Sequence, residues 1–183
     1  MRVPTQSFLA KLFVLIAMIG FNTPSWAHDP AKHGFSLVLF DKSFPAPDFQ
    51  LDLLGDEQTT LSAYQGQYVL LNFWATWCPP CLEEMPSMER LYQEFRDRKF
   101  VVVAVSSDEK GAATVQPFID KLKTTFPIML DTKGDVAKVY GARQLPVTFL
   151  LDPKGNVIAA AQGERDWSSK ESISVFDELL PKQ

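Results

Sequence analysis

The only two cysteines of this 183-residue chain, Cys78 and Cys81, stand two residues apart, where one hydrophobic pattern stops and another starts. Before them, Tyr68-Val69-Leu70-Leu71-Asn72-Phe73-Trp74 is apolar enough for a buried strand. After them, Leu82, Met85, Met88, Glu89, Tyr92 and Phe95 recur at intervals of three and four, an apolar helical stripe with one polar interruption. The segment Trp77-Cys78-Pro79-Pro80-Cys81 therefore puts Cys78 at a helix N-terminus, where unpaired N–H groups and the helix dipole favour a thiolate over a thiol. Cys81 falls one turn further in, less exposed and within reach of the first sulfur. The pair reads as redox-active, with Cys78 attacking and Cys81 resolving.

Strand, cysteine pair and helix in this order form a thioredoxin-like arrangement. Two other uses of the pair fit less well. Tetrahedral zinc needs more ligands, and the only histidines, His28 and His33, lie far upstream, so no metal site is expected. A purely structural disulfide across so short a loop would constrain the unfolded chain little. No cofactor is expected beyond the Cys78-Cys81 disulfide itself.

Residues 1–27 carry the pattern of an export signal. Arg2 and Lys11 precede the apolar run from Leu12 to Phe21, and Ser25-Trp26-Ala27 is a small-x-small cleavage site. The apolar part is shorter than the ~20 residues of a spanning helix, so a retained membrane anchor is the second choice. No cysteine near residue 27 offers a lipid attachment point. Export implies an oxidising compartment, expected to be the periplasm. Removing 27 residues leaves 156 of the 183, one domain's worth, and takes the net charge from −4 to −6 by loss of Arg2 and Lys11. That balance argues against a nucleic-acid partner, and the interspersed acids read as an ordinary solvated surface.

Residues 28–42 hold both histidines and the apolar run Phe35 to Phe40, read as a tether or an added edge strand; the domain proper is placed at 43–183. Asp48 to Leu53, Gly55-Asp56 and Gln58 to Leu61 read as a hairpin ahead of the core. Pro86 lies inside the helix after the cysteines, where it removes a backbone hydrogen bond and is expected to kink the axis. Phe100 to Val105 reads as a central parallel strand, followed by a Ser106-Ser107-Asp108 loop. Val115, Phe118, Ile119 and Leu122 mark a second helix, Pro127 to Leu130 a short strand, and Val136 to Tyr140 a short helix closed by Gly141. Val147 to Leu151 and Val157 to Ala161 flank a Pro153-Lys154-Gly155 turn as an antiparallel hairpin. Ser168-x-x-Glu171 is a candidate capping box for a last helix through Ile173, Phe176 and Leu180.

Three pieces in order carry a resemblance: Asn72-Phe73-Trp74-Ala75-Thr76-Trp77-Cys78-Pro79-Pro80-Cys81, Glu84-Met85-Pro86, and Leu145-Pro146-Val147-Thr148-Phe149-Leu150-Leu151-Asp152. From about Phe44 to its C-terminus the chain resembles the TlpA/ResA family of exported thioredoxin-like thiol-disulfide oxidoreductases. The fold expected is α/β and thioredoxin-like, a central mixed sheet flanked by helices, with an extra N-terminal β-hairpin. The resemblance implies that Pro146 follows a cis peptide bond and faces the cysteine pair, keeping metal off the thiolates. The backbone of Leu145 would then pair with an extended substrate segment. Trp77 and Pro79 complete the expected substrate-binding set. Glu84, three residues after Cys81, shares its helix face, and its apolar neighbours Leu82 and Met85 favour a partly buried carboxyl raised toward a useful proton-carrying range. The family's matching glutamate is credited with tuning the cysteines, and Asn72 stands where thioredoxin has a buried aspartate.

The resemblance further implies a reductant of protein disulfides outside the cytoplasmic membrane, serving cytochrome c maturation or copper-site assembly, and a monomer is expected. A transmembrane thiol carrier would supply its electrons. Two alternatives compete. A peroxidase of related fold would need a peroxidatic cysteine in its own activating loop. A copper-binding or copper-delivery module would use the paired thiolates, with His28 as the new N-terminal residue and His33 nearby.

Overall fold

A computed structural model of the chain describes residues 37–55 and 57–182. The export segment, His28 and His33 lie outside the described residues.

The chain runs β1 (Val38–Pro45), β2 (Gln50–Leu53), β3 (Gln58–Thr60), β4 (Tyr68–Trp74), α1 (Pro79–Phe95), β5 (Phe100–Ser106), α2 (Ala112–Leu122), β6 (Ile128–Leu130), α3 (Asp135–Val139), β7 (Val147–Leu151), β8 (Asn156–Gln162) and α4 (Lys170–Leu179). The eight strands among the described residues form one mixed sheet in the order β1-β8-β7-β4-β5-β6-β2-β3. β4, β5 and β6 are parallel, and α1 and α2 make the crossovers between them. The expected N-terminal hairpin is β2 and β3, which joins the sheet beside β6.

The central strands are apolar without interruption because both faces of the sheet are covered. Leu70 and Trp74 of β4, with Phe100, Val102 and Ala104 of β5, pack with Met85, Met88, Leu91 and Phe95 of α1 and with residues of α2 and α4. Val69, Leu71, Phe73, Val101, Val103 and Val105 point the other way, toward Leu61, Ala137 and Tyr140. This alternation puts Asn72, a lone polar residue in β4, on the α1 side, where it is fully buried.

Three local expectations need correction. The buried stripe of α1 is Cys81, Glu84, Met85, Ser87, Met88, Leu91 and Phe95, so Tyr92 is displaced from its centre and two polar residues are part of it. The cap of α4 is Ser169, whose hydroxyl accepts the Ser172 N–H at 3.1 Å. Ser168 is drawn away by Asp166, whose carboxylate accepts its N–H at 2.9 Å and its hydroxyl at 2.7 Å, a local turn that competes with capping. Finally, β5 extends through Ser106, which leaves only Ser107 and Asp108 to begin the loop.

β1 lies on both sides of residue 43 and pairs antiparallel with β8. Its pairing is irregular: Leu39 faces Ala159 and Phe44 faces Val157, so residues 40–43 stand opposite Ile158 alone.

Candidate active site

β4 delivers the chain to the end of the sheet at Trp74, and α1 begins five residues later at Pro79. Cys78 is the N-cap of α1. Prolines fill the first two helical positions, where a missing N–H is tolerated, so the first N–H the helix offers belongs to Cys81. That N–H donates to Cys78 Sγ at 3.3 Å. The single donor of the first turn is thus aimed at the sulfur read as attacking, the arrangement that favours a thiolate there once the pair is reduced. The cysteines are joined as a disulfide with Cα atoms 5.3 Å apart. Cys78 is 5% exposed and Cys81 0%, whereas Trp77 beside them is 67% exposed. Pro79 is exposed as well.

Glu84 is buried three residues after Cys81 on α1. Its Oε1 accepts from Asn72 Nδ2 at 2.9 Å and its Oε2 from Trp167 Nε1 at 3.0 Å. Asn72 Nδ2 also donates to Thr148 Oγ1 at 2.9 Å, which ties α1 through β4 to β7. Ser87 closes the group: its hydroxyl donates to the Glu84 carbonyl at 2.7 Å and accepts the Trp167 N–H at 3.0 Å. Burial pushes the Glu84 carboxyl from 4.5 up to about 7, against the opposing pull of the Trp167 and Asn72 donors and of the Arg165 charge. Glu83, its neighbour, is exposed.

The Leu145–Pro146 peptide is cis. Pro146 is buried and directly precedes β7, whose Val147 is paired with Phe73 of β4. One register step further, Pro146 comes level with Trp74, at the end of the sheet from which the cysteine loop departs. Half-buried Leu145 packs against both sides of the core.

Two partners of this site were not singled out in the sequence. Trp167 contributes a donor to Glu84 from 83 residues away, and nothing in its local pattern announces it. Asp108, 4% exposed, holds the cysteine loop from the end of β5: it accepts the Thr76 N–H at 3.0 Å and the Thr76 hydroxyl at 2.6 Å. Among the described residues, no group of three or more His, Cys, Asp or Glu side chains could hold a metal ion.

Residues 44–160 match the model of the AhpC/TSA family. Over 176 residues the chain is 38% identical to the thiol-disulfide oxidoreductase ResA of Oceanobacillus iheyensis, an overlap of 94% of this chain and 87% of that protein. The chain belongs to the AhpC/TSA family, as a ResA-like thiol-disulfide oxidoreductase. It is also 49% identical over 112 residues to the thioredoxin-like protein YneN of Bacillus subtilis, covering 60% of this chain and 65% of YneN. A solved thiol-disulfide oxidoreductase from Bacteroides fragilis superposes with a TM-score of 0.65 at 30% identity, over 75% of this chain and 100% of that one. The fold is therefore thioredoxin-like, and the ResA-like chain carries its Cys-x-x-Cys pair at the helix start as an intact redox couple.

Proposed function

We propose that this ResA-like enzyme reduces disulfides in exported proteins outside the cytosol, in the periplasm, with Cys78 attacking, Cys81 resolving and Glu84 carrying protons. The observation that carries the division of labour is the Cys81 N–H aimed at Cys78 Sγ, beside an exposed Trp77. The Cys78 thiolate attacks one sulfur of the client disulfide; that S–S bond breaks, and the other client sulfur leaves as a thiolate that takes up a proton. Cys81, losing its proton, then attacks Cys78. The second client thiol is released, and the chain is left as the Cys78–Cys81 disulfide. Two electrons have passed to the client, and a transmembrane thiol carrier returns them.

Exposed Trp77 and Pro79, with half-buried Leu145 held by the buried Pro146, form the site that receives the client, and the Leu145 backbone is available to an extended segment. The direction of electron flow and the client class, proteins of cytochrome c maturation or copper-site assembly, follow the resemblance carried by residues 72–81, 84–86 and 145–152. The test is a trapping experiment in the exporting cell. Cys81→Ala is expected to accumulate mixed disulfides with exported proteins, identified by non-reducing gels and mass spectrometry, and Cys78→Ala to accumulate none. Equal trapping by both variants would reverse or abolish the assignment of roles.

A further inference from the structure

A buried polar cluster outside the Glu84 group lies at the mouth of the cysteine loop. Asp108 is nearly inaccessible, and a carboxylate so placed is costly unless donors surround it. Here three neutral donors do: the Thr76 N–H at 3.0 Å, the Thr76 hydroxyl at 2.6 Å and the Ser106 hydroxyl at 2.7 Å. The Asp108 N–H in turn donates to Ser106 Oγ at 3.2 Å. Among the described residues, no Lys or Arg pairs with it.

Both hydrogen-bonding groups of Thr76 that can donate are thus fixed by one side chain, two residues before Cys78. The loop is gripped at two further points: Ser107 N–H donates to the Trp74 carbonyl at 3.0 Å, and Cys78 N–H to the Ala75 carbonyl at 3.2 Å. The same residues wall an open cleft of about 500 Å³ that includes Thr76, Trp77, Asp108 and Lys110. The path from Asp108 to the reactive sulfur is short: two hydrogen bonds to Thr76, then the backbone from Thr76 to Cys78.

We propose that Asp108 is a positioning residue for thiol-disulfide exchange: by clamping Thr76 it fixes the line along which Cys78 Sγ meets a client sulfur. Sulfur attack on a disulfide needs the three sulfurs in line, so a loop free to shift loses rate even when the thiolate is intact. The clamp acts through acceptors in the right places and not through charge. Asp108→Asn keeps that geometry, since its oxygen can accept the Thr76 N–H and the Ser106 hydroxyl while its NH₂ donates to the Thr76 hydroxyl. The inference rests on the exchange chemistry of the pair, and is independent of its direction and its client.

The test compares reduced wild-type chain with Asp108→Ala, Asp108→Asn and Thr76→Val. One measurement is the rate of exchange with a disulfide-bonded peptide. The other is alkylation of Cys78 by iodoacetamide across pH, which needs no docked partner and reads the thiolate directly. Asp108→Ala and Thr76→Val are expected to slow exchange ~10-fold, with the alkylation midpoint and plateau within about twofold of wild type. Asp108→Asn is expected to restore most of the exchange rate. The proposal is overturned by Asp108→Ala exchanging at the wild-type rate, by Asp108→Asn being as slow as Asp108→Ala, or by alkylation falling in step with exchange. A wild-type chain unable to exchange with any peptide disulfide would instead overturn the chemistry on which the proposal stands.

Discussion

Glu84 makes the stability of the oxidised chain depend on pH in an unusual direction for a carboxyl. Unfolded, the group titrates at its ordinary 4.5; folded, burial raises it to about 7. Between those values the native chain keeps a proton that the unfolded chain has released, so stability falls as pH rises through the window, by roughly 3 kcal/mol in all. Urea denaturation at a series of pH values is expected to show this fall in wild type and to lose it in Glu84→Gln. Glu83→Gln, on the exposed side of the same turn, is expected to behave as wild type. The donors matter in the opposite sense. Asn72→Ala deletes a hydrogen bond that favours the ionised carboxyl, so the Glu84 midpoint is expected to rise further, by about one pH unit, as followed by carboxyl NMR. A midpoint that stayed or fell would mean that the amide does not stabilise the charge.

At the scale of elements, the corrected start of α4 gives a clean comparison. Ser169→Ala removes the hydroxyl that accepts the Ser172 N–H and is expected to cost about 1 kcal/mol in denaturant unfolding, whereas Ser168→Ala, whose hydroxyl makes only exposed hydrogen bonds, to Asp166 and from Arg90 Nε, is expected to cost less than half of that. The two serines show where sequence reading stops. Both can cap, and which of them does depends on Asp166 pulling Ser168 into a turn. The strands were legible because an apolar run such as Val101 to Val105 reports burial on two faces directly. The cysteine loop was legible because its chemistry is local, four residues from one sulfur to the other. Asp108 and Trp167 were not, because their partners lie 32 and 83 residues away and only the packed sheet brings them together. Glu84 stood between these cases. Its neighbours suggested burial, but the indole that shares its carboxyl comes from beyond β8.

For the molecule as a whole, the sheet has two edges, and both are poor templates. β3 is three residues long. At the other edge, β1 covers β8, a seven-residue strand rich in alanine that would otherwise lie open. β1 itself carries Asp41 and Lys42 in its bulge and ends in Pro45, features that spoil a further ladder. A chain lacking residues 1–45 is expected to keep its peptide exchange rate within about twofold, because β8 and β7 still separate the cut from β4, yet to form aggregates on standing, detectable by light scattering. An unchanged scattering profile would show that β8 needs no cover. The irregular border strand thus has a meaning beyond stability. An enzyme that exchanges disulfides with other proteins meets chains able to zip onto a bare strand, and a frayed, charged hem leaves such visitors no place to settle except beside the sulfurs.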